Sequence, residues 1–253
     1  MKPRFLLYTI SFSTLRQPKA KVLIPTLLAV FAFCCSKSSG VNENKANVTV
    51  AHVAPGFGPL DMLYGGSSIL AGDSLSYGQS TGSPGNTYVE ATAGVRNLEV
   101  QESGKPVLSG NTAFLQGGHY SVFAYDTLQN DSLKLLILQD NLQLYSDPLK
   151  DNVRFINFSP GSSLSLVMTN TTDTNVTVFQ PFAGYQTDPS HYAFKPFTTG
   201  YYGVRVFRDS SFANSIPVDS VNLSTNTIYT LYLQGYLDSS GSKPLQLKVI
   251  QYN

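Results

Sequence analysis

A ten-residue segment of β-strand character occurs twice in this chain, and each copy ends in Pro-Gly. The first is NVTVAHVAPG at residues 47–56 and the second is NVRFINFSPG at residues 152–161, an offset of 152 − 47 = 105. Alternating apolar residues are typical of a β-strand, and Pro-Gly ends a strand and opens a turn. The sequence therefore predicts that one β framework is present twice.

The β-type segments that follow the first copy also recur, in the same order, after the second. The pairs are 60–64 with 163–168, 88–94 with 192–200, 98–100 with 204–207, 119–123 with 228–232, and 133–141 with 245–253. A period this long does not suit a solenoid repeat, so each copy should be a domain with its own core. About seven or eight short strands per copy, without a helical pattern, predict an all-β chain of two tandem immunoglobulin-like antiparallel β-sandwich domains.

The predicted boundaries place the first sandwich at residues 47–142 and the second at residues 152–253. The linker between them, residues 143–151, is short and contains Pro148. A short connection with a proline has limited freedom. We therefore expect a semi-rigid rod of two sandwiches.

An apolar segment near the N-terminus predicts an export signal. Basic residues precede residues 22–33, which are as apolar as a signal sequence but too short to span a bilayer comfortably. The Cys34-Cys35 pair that follows resembles a bacterial lipoprotein signal, in which residues 1–34 are removed and Cys35 carries the lipid. Cys35 is preferred because Cys34 supplies the small residue wanted before the cut, and an uncleaved anchor helix is the alternative. Residues 35–46 are polar and predict a flexible tether.

Composition narrows the classes of protein that remain. The net charge is +1, which gives no electrostatic reason to expect nucleic acid as a partner. Charged residues make up 13% of the chain, against roughly 25% in ordinary soluble domains, and this suits β-sheets with neutral, hydroxyl-rich outer faces. The only cysteines are adjacent and cannot easily bridge to each other, so no disulfide framework is expected.

The residues around the first turn resemble a known family. HVAPG at residues 52–56, followed by Leu60-Asp61-Met62 and later by Ala93-Gly94 before an alternating strand, is similar to the domain of unknown function numbered 4397. That family occurs in secreted and lipid-anchored bacterial envelope proteins, often in tandem, and has no established activity. The resemblance covers residues 47–141 and 152–253. It implies a fold and a cellular address rather than a mechanism.

Two groups of residues could carry catalysis, and the sequence favours neither. Residues 78–82, GQSTG, have the letters of a hydrolase nucleophile elbow around Ser80, but the SPGN that follows cannot open the helix that this motif needs. His52 and Asp61 could form a general base with its orienting carboxylate. A histidine at the end of a strand is more typical of one that bonds to turn backbone, and Asn157 replaces it in the second copy. We predict that the protein is not an enzyme, with a secreted hydrolase as the remote alternative.

No metal or cofactor is predicted. His119 and His191 lie in different copies and have no cysteine or carboxylate at the spacing of a zinc site. Asp147 and Asp151, near the linker, could contribute to a calcium site. No loop shows the alternating oxygen ligands of a strong calcium site, so calcium is not part of the prediction.

Four Asp-Ser/Thr-aliphatic triplets look like acceptors of a periplasmic O-glycosylation system. The candidate acceptors are Ser74, Thr127, Ser132 and Ser220. Chance in a chain rich in serine and threonine is the alternative explanation. Glycosylation would add a bulky, polar surface group at each site.

The candidate binding surface is aromatic and lies in the second copy. Its members are Tyr185, Tyr192, Tyr201 and Tyr202. Strand alternation predicts that most aromatics here are core and that Tyr201 and Tyr202 point to opposite faces. An exposed tyrosine can stack on a sugar or on a protein surface, although tryptophan, the favoured sugar platform, is absent from the chain.

These observations predict a non-catalytic, lipid-anchored protein of the bacterial cell envelope, held at the outer membrane on its periplasmic face or at the cell surface. Its role would be binding, adhesion or scaffolding towards a protein or glycan partner. The alternative is a carbohydrate-binding accessory lipoprotein of a polysaccharide-uptake system.

Overall fold

The computed structural model describes residues 44–82, 86–126, 132–159, 164–172, 176–182, 192–207, 215–237 and 243–252, with backbone alone at 176–182 and 215. The two copies belong to one compact unit that runs from Gly40 to Asn253. Within the described ranges, no helix is both long enough and apolar enough to cross a bilayer.

In the described residues of the first half there are eight strands. They are β1 Lys45–His52, β2 Leu60–Tyr64, β3 Ser67–Ser68, β4 Val89–Thr92, β5 Gly94–Glu102, β6 Lys105–Phe114, β7 His119–Asp126 and β8 Leu133–Gln139. They form two sheets. Sheet I has the order β4-β1-β7-β8 and sheet II has the order β3-β2-β5-β6.

The second half repeats this arrangement strand for strand. Its strands are β9 Lys150–Asn157, β10 Leu164–Asn170, β11 Val176–Phe182, β12 Lys195–Thr198, β13 Gly200–Phe207, β14 Ser215–Leu223, β15 Ile228–Gln234 and β16 Gln246–Tyr252. Sheet III has the order β12-β9-β15-β16 and sheet IV has the order β11-β10-β13-β14. Adding eight to each strand number of the first half gives the second, so the all-β fold with an internal duplication is confirmed.

Among the described strands, each half contains one parallel pair within its otherwise antiparallel sheets. β1 runs parallel to β7, with Thr49 opposite Ser121, and β9 runs parallel to β15, with Arg154 opposite Thr230. The other strand pairs are antiparallel. A parallel pair needs a long crossover connection, and here all the strands of sheet II or sheet IV intervene.

Among the described residues, three apolar cores lie between the four sheets. The first core lies between sheets I and II and includes Val48, Val50 and Met62, while the second lies between sheets III and IV. A third, central core joins sheet I to sheet III through residues such as Phe123 and Phe158, whose ring centroids are 4.9 Å apart. The sheets are therefore stacked in the order II, I, III, IV.

The central core replaces the semi-rigid rod that the short linker predicted. Val48 and Val50 of β1 face the first core, while Ala51 of β1 and Val53, just after the strand, face the central core. Strands β7, β9 and β15 are likewise buried on both faces. A sheet with two apolar faces needs another layer of structure packed on each face. Each large apolar side chain that is fully buried in this way adds about 1.5–3 kcal/mol to the free energy of unfolding. The two halves therefore pack face to face.

Candidate functional site

His52 fixes the corner after β1 and has no carboxylate partner from Asp61. Its Nε2 donates to the carbonyl of Gly58 at 2.8 Å, and its Nδ1 accepts from the Ala54 N–H at 3.3 Å. Asp61 instead accepts from Ser68 Oγ at 2.8 Å and from the Met62 N–H at 2.7 Å. Burial lowers the pKa of His52, which keeps the neutral ring in this backbone role.

The loop around Ser80 pairs with β1 in extended form. The Gly78 N–H donates to the His52 carbonyl at 2.8 Å, and the His52 N–H donates to the Gln79 carbonyl at 3.0 Å. Ser80 forms an antiparallel bridge with Ala51. A nucleophile elbow needs a sharp turn between a strand and a helix, and this segment is an added stretch of sheet edge.

The other candidate ligands take separate structural roles. His119 lies at the start of β7 near Asn47, at 3.2 Å from His119 Nε2 to Asn47 Nδ2, and His191 lies outside the described residues. Asp147 is exposed and accepts from the Leu149 N–H at 2.9 Å. Asp151 is buried and accepts from the Thr227 N–H at 3.3 Å, and burial raises its pKa. Among the described residues, no three side chains of the His, Cys, Asp or Glu type gather as a metal site would require.

The predicted modification sites are only partly within the described chain. Cys35 and Thr127 lie outside it. Ser74, Ser132 and Ser220 are exposed, so their hydroxyls can be reached from solvent. Glycosylation at these serines stays a prediction.

The four candidate tyrosines do not form one surface. Tyr201 is 49% exposed, with its hydroxyl 2.6 Å from Ser220 Oγ, whereas Tyr202 is 4% exposed and belongs to the second core. Tyr192 is buried in the central core, and Tyr185 lies outside the described residues. Strand alternation places Tyr201 and Tyr202 on opposite faces of β13, as the sequence predicted. Packing between sheets buries Tyr192 and Tyr202.

A groove lies between the two halves of the described chain. We call it the inter-copy groove; its volume is about 750 Å³. The end of β8 and the connection to β9 form one wall, and the segment before β12 forms the other. It is lined by Leu138, Gln139, Asn141, Gln143, Leu144, Tyr145, Ser146, Asn152, Arg154, Tyr192, Ala193 and Phe194. Small-molecule sites occupy about 300–1,000 Å³, so this volume suits a ligand.

A buried ion pair lies at the floor of the groove and joins the two halves. Arg154 of β9 is 2% exposed on its side chain, and its terminal nitrogen lies 2.7 Å from Asp140 Oδ1, just after β8. Arg154 also donates to Thr230 Oγ1 at 2.7 Å and to Ser121 Oγ at 2.8 Å. The second oxygen of Asp140 accepts from Ser121 at 2.8 Å and from the Tyr88 hydroxyl at 2.9 Å. Both charges are therefore paired and hydrogen-bonded, as burial requires.

The pKa shifts in this network keep Arg154 charged and Tyr88 neutral. Burial alone would lower the pKa of Arg154, but Tyr252 and Asp140 outweigh it and the pKa is raised. Burial, followed by the Asp140 carboxylate, raises the pKa of the Tyr88 phenol. Arg154 thus stays a cation and Tyr88 a neutral donor, and the pair adds no net charge to the groove.

The ion pair also positions one groove wall. The guanidinium carbon of Arg154 lies 4.4 Å from the ring centroid of Phe194, a cation–π contact. On the opposite wall, Asn152 Nδ2 donates to the Gln143 carbonyl at 2.6 Å, and Asn141 Oδ1 accepts from the Gln143 N–H at 3.1 Å. Both walls are therefore held by specific contacts.

Sequence reasoning missed Arg154 and Asp140. The signal was present: Arg154 interrupts the apolar run of β9, and Thr49 stands at the matching place in the first copy, 154 − 49 = 105. A charge on the face of a strand that is otherwise buried indicates a buried partner. Which carboxylate would meet it depended on the stacking of sheets I and III, and no local pattern encodes that stacking.

Fold and groove together define an all-β protein built from a duplicated two-sheet unit, with a ligand-sized cleft between its halves. Residues 46–164 match the family described as Domain of unknown function (DUF4397). This match confirms the resemblance found in the sequence, over the first copy and the start of the second. No curated protein matches the chain.

Two solved structures share general similarity at very low identity. One is a leucine-rich repeat protein from Bacteroides thetaiotaomicron VPI-5482, with 10% identity and a TM-score of 0.21; the match covers 81% of this chain and 26% of that one. The other is CBMbc (family CBM26) from Eubacterium rectale Amy13K in complex with maltoheptaose, with 9% identity and a TM-score of 0.23; it covers 81% of this chain and 96% of that one. This chain spans about a quarter of the length of the first protein. Such scores carry no argument about function.

Proposed function

We propose that this chain is a non-catalytic, lipid-anchored protein of the bacterial outer membrane that binds a partner in the inter-copy groove. The observation that carries the proposal is the groove itself, whose two walls come from different halves and are held by Phe194 on Arg154 and by Asn152 on Gln143. A pre-formed concave site of this size is the default place for a ligand. The roles of His52 and Ser80 in the corner and sheet edge support a binding function over a catalytic one.

The anchoring part of the proposal rests on Cys35 and is tested with its neighbour as control. In cells, Cys35→Ser should move the protein out of the membrane fraction and abolish lipid on the mature N-terminal peptide. Cys34→Ser leaves a small residue before the cut and should stay membrane-bound. Mass spectrometry of the N-terminal peptide and membrane fractionation measure both. A Cys35→Ser protein that remains lipidated would contradict the assignment.

The binding part of the proposal is tested by filling the groove. Ala193 is exposed on a groove wall, so Ala193→Trp should block the cleft without entering a core. Ala113→Trp, on the exposed face of β6, is the matched control for added aromatic surface. Binding of the soluble domain to purified envelope of the source bacterium is measured by sedimentation. Loss with Ala193→Trp alone supports the groove, and equal binding by both variants overturns it.

A carbohydrate-binding accessory role in a polysaccharide-uptake system is the second candidate. The neutral lining of the groove favours it, because hydroxylated ligands without charge need neutral hydrogen-bonding partners. The ligand chemistry that separates this role from adhesion to a protein is developed next.

A further inference from the structure

The charge of the inter-copy groove limits the ligands that it can take. Arg154 is the only ionisable side chain of the Lys, Arg, Asp, Glu or His type among the described lining residues, and Asp140 neutralises it at 2.7 Å. An anionic ligand would find no free cation there, and a cationic ligand would find no free carboxylate. A buried ion pair already satisfied within the protein gains nothing from a charged ligand. The groove therefore suits a neutral molecule.

The polar lining is rich in amides. Gln139, Asn141 and Gln143 follow one another at alternate positions along one wall, and all three are exposed. Each amide can donate and accept hydrogen bonds at the same time. A hydroxyl group also donates and accepts, so a row of amides complements a row of hydroxyls.

The apolar lining adds an aromatic platform to this row. Tyr145 is 47% exposed, and Phe194, half-buried, contributes a ring to the opposite wall. Aromatic faces can pack against the apolar C–H face of a pyranose while amides bind its hydroxyls. Peptides also contact amides and aromatics, so a peptide is the competing ligand that the test must separate from a sugar.

A comparison of the two equivalent places in the duplicated fold also favours the inter-copy groove as the ligand site. The reciprocal place, where β16 meets the segment before β4, holds a cleft of only about 190 Å³ lined by residues such as Thr81, Thr87 and Gln251. The ancestral duplication supplied both places, and only the one between β8 and β12 is large enough for a drug-sized ligand. The connection from β8 to β9 supplies the extra wall.

We infer that the inter-copy groove binds a neutral oligosaccharide, held by Gln139, Asn141 and Gln143 and stacked on Tyr145. The inference rests on the proposed binding function and names its ligand class. A protein partner is the other outcome of the test.

The test uses the chain from residue 36 to its end with purified neutral oligosaccharides. Maltohexaose, cellohexaose, xylohexaose and mannohexaose are titrated by calorimetry, with oligogalacturonate as the charged comparison. At least one neutral sugar should bind, and oligogalacturonate should not. Tyr145→Ala should weaken that binding by about tenfold or more, which is the worth of one good aromatic contact.

Variants elsewhere make the result specific. Gln139→Ala should weaken binding, whereas Gln116→Ala, an exposed amide in the turn before β7, should leave it unchanged. Tyr201 is 49% exposed and Tyr145 is 47% exposed, but Tyr201 lies outside the groove lining. Tyr201→Ala is therefore the matched control for Tyr145→Ala. Loss of binding with Tyr201→Ala and not with Tyr145→Ala would overturn the groove as the sugar site.

The failure of the sugar inference and the failure of the proposed function give different results. If envelope binding is blocked by Ala193→Trp but is destroyed by protease treatment of the envelope and no sugar binds, the groove takes a protein and the sugar inference is wrong. If neither envelope nor sugar binds, the proposed function itself fails. Sugar binding that survives Ala193→Trp also overturns the inference.

Discussion

At the residue scale, the exchange of His52 for Asn157 explains what the repeated corner requires. His52 Nδ1 accepts from the N–H two residues on, Ala54, and Asn157 Oδ1 accepts from the N–H two residues on, Ser159, at 2.9 Å. Histidine and asparagine both place an acceptor within reach of that N–H. The repeated property is therefore a local acceptor at the end of the first strand of each half.

A substitution series at His52 tests this equivalence. His52→Ala should lower the free energy of unfolding by about 2 kcal/mol, because the Gly58 carbonyl and the Ala54 N–H both lose a partner. His52→Asn should keep the second contact and cost about half as much. Urea unfolding at neutral pH measures both values, and equal losses in the two variants would show that the Ala54 contact is irrelevant.

The same residue should make stability depend on pH. The pKa of His52 is lowered from 6.5 by burial, so the unfolded chain takes up a proton first as the pH falls. The stability that neutral His52 contributes is complete above pH 6.5 and is lost as the pH falls below that value towards the folded-state pKa. In His52→Asn this part of the pH dependence should vanish. An identical slope of unfolding free energy against pH in both proteins would contradict the assignment.

At the element scale, strand β13 shows that period-two alternation predicts which side chains of a strand are buried. Tyr201 points outward and Tyr202 inward, as the alternation predicted. The first strand of each half and the Pro55-Gly56 corner were also predictable from pattern. β6, β11 and β14 were not recognised, because each contains a proline and its apolar residues are interrupted by polar ones. An edge strand with one face in solvent needs little apolar signal.

Alternation in β13 leads to a paired prediction on stability. Tyr202→Ala should lower the free energy of unfolding by about 3–5 kcal/mol, since it leaves a cavity in the second core beside Phe197. Tyr201→Ala should change it by less than about 1 kcal/mol, because the ring is half in solvent. Thermal or urea unfolding of both variants measures the difference, and similar values would mean that the two faces are assigned wrongly.

At the scale of the whole molecule, the sequence predicted two sandwiches but not how they meet. The reason is physical: the central core draws one face from each of two sheets, and a strand buried on both faces looks like any apolar run. The sequence around residues such as Val53, Phe123 and Tyr232 does not show whether their face of the sheet is covered by the same chain, by a second chain or by solvent. The groove could not be predicted either, because its two walls are far apart in sequence.

Separating the halves is expected to expose the central core. Residues 44–142 expressed alone would present Phe123, Tyr125, Leu136 and Leu138 to solvent. A contiguous apolar face of this kind drives self-association. Sedimentation should show the isolated half as dimers or larger species, while the full chain is monomeric and unfolds in a single calorimetric transition.

The control for this experiment changes one central position. Phe123→Asp in the isolated half should reduce its self-association, because the charge falls in the middle of the exposed face. If the unmodified half is monomeric and unfolds at the same temperature as the full chain, the central core does not stabilise the protein.

The ion pair at the groove floor also affects the stability of chains in which one half is replaced by a copy of the other. The second half supplies the cation, Arg154, and the first half supplies the anion, Asp140, while their counterparts are Thr49 and Tyr252. A chain with two first halves would bury two carboxylates facing threonines, and one with two second halves would bury two guanidinium groups facing tyrosines. Recombination between the repeats would therefore yield unstable products. The two halves began as copies, and through this ion pair each now supplies the charge that the other needs.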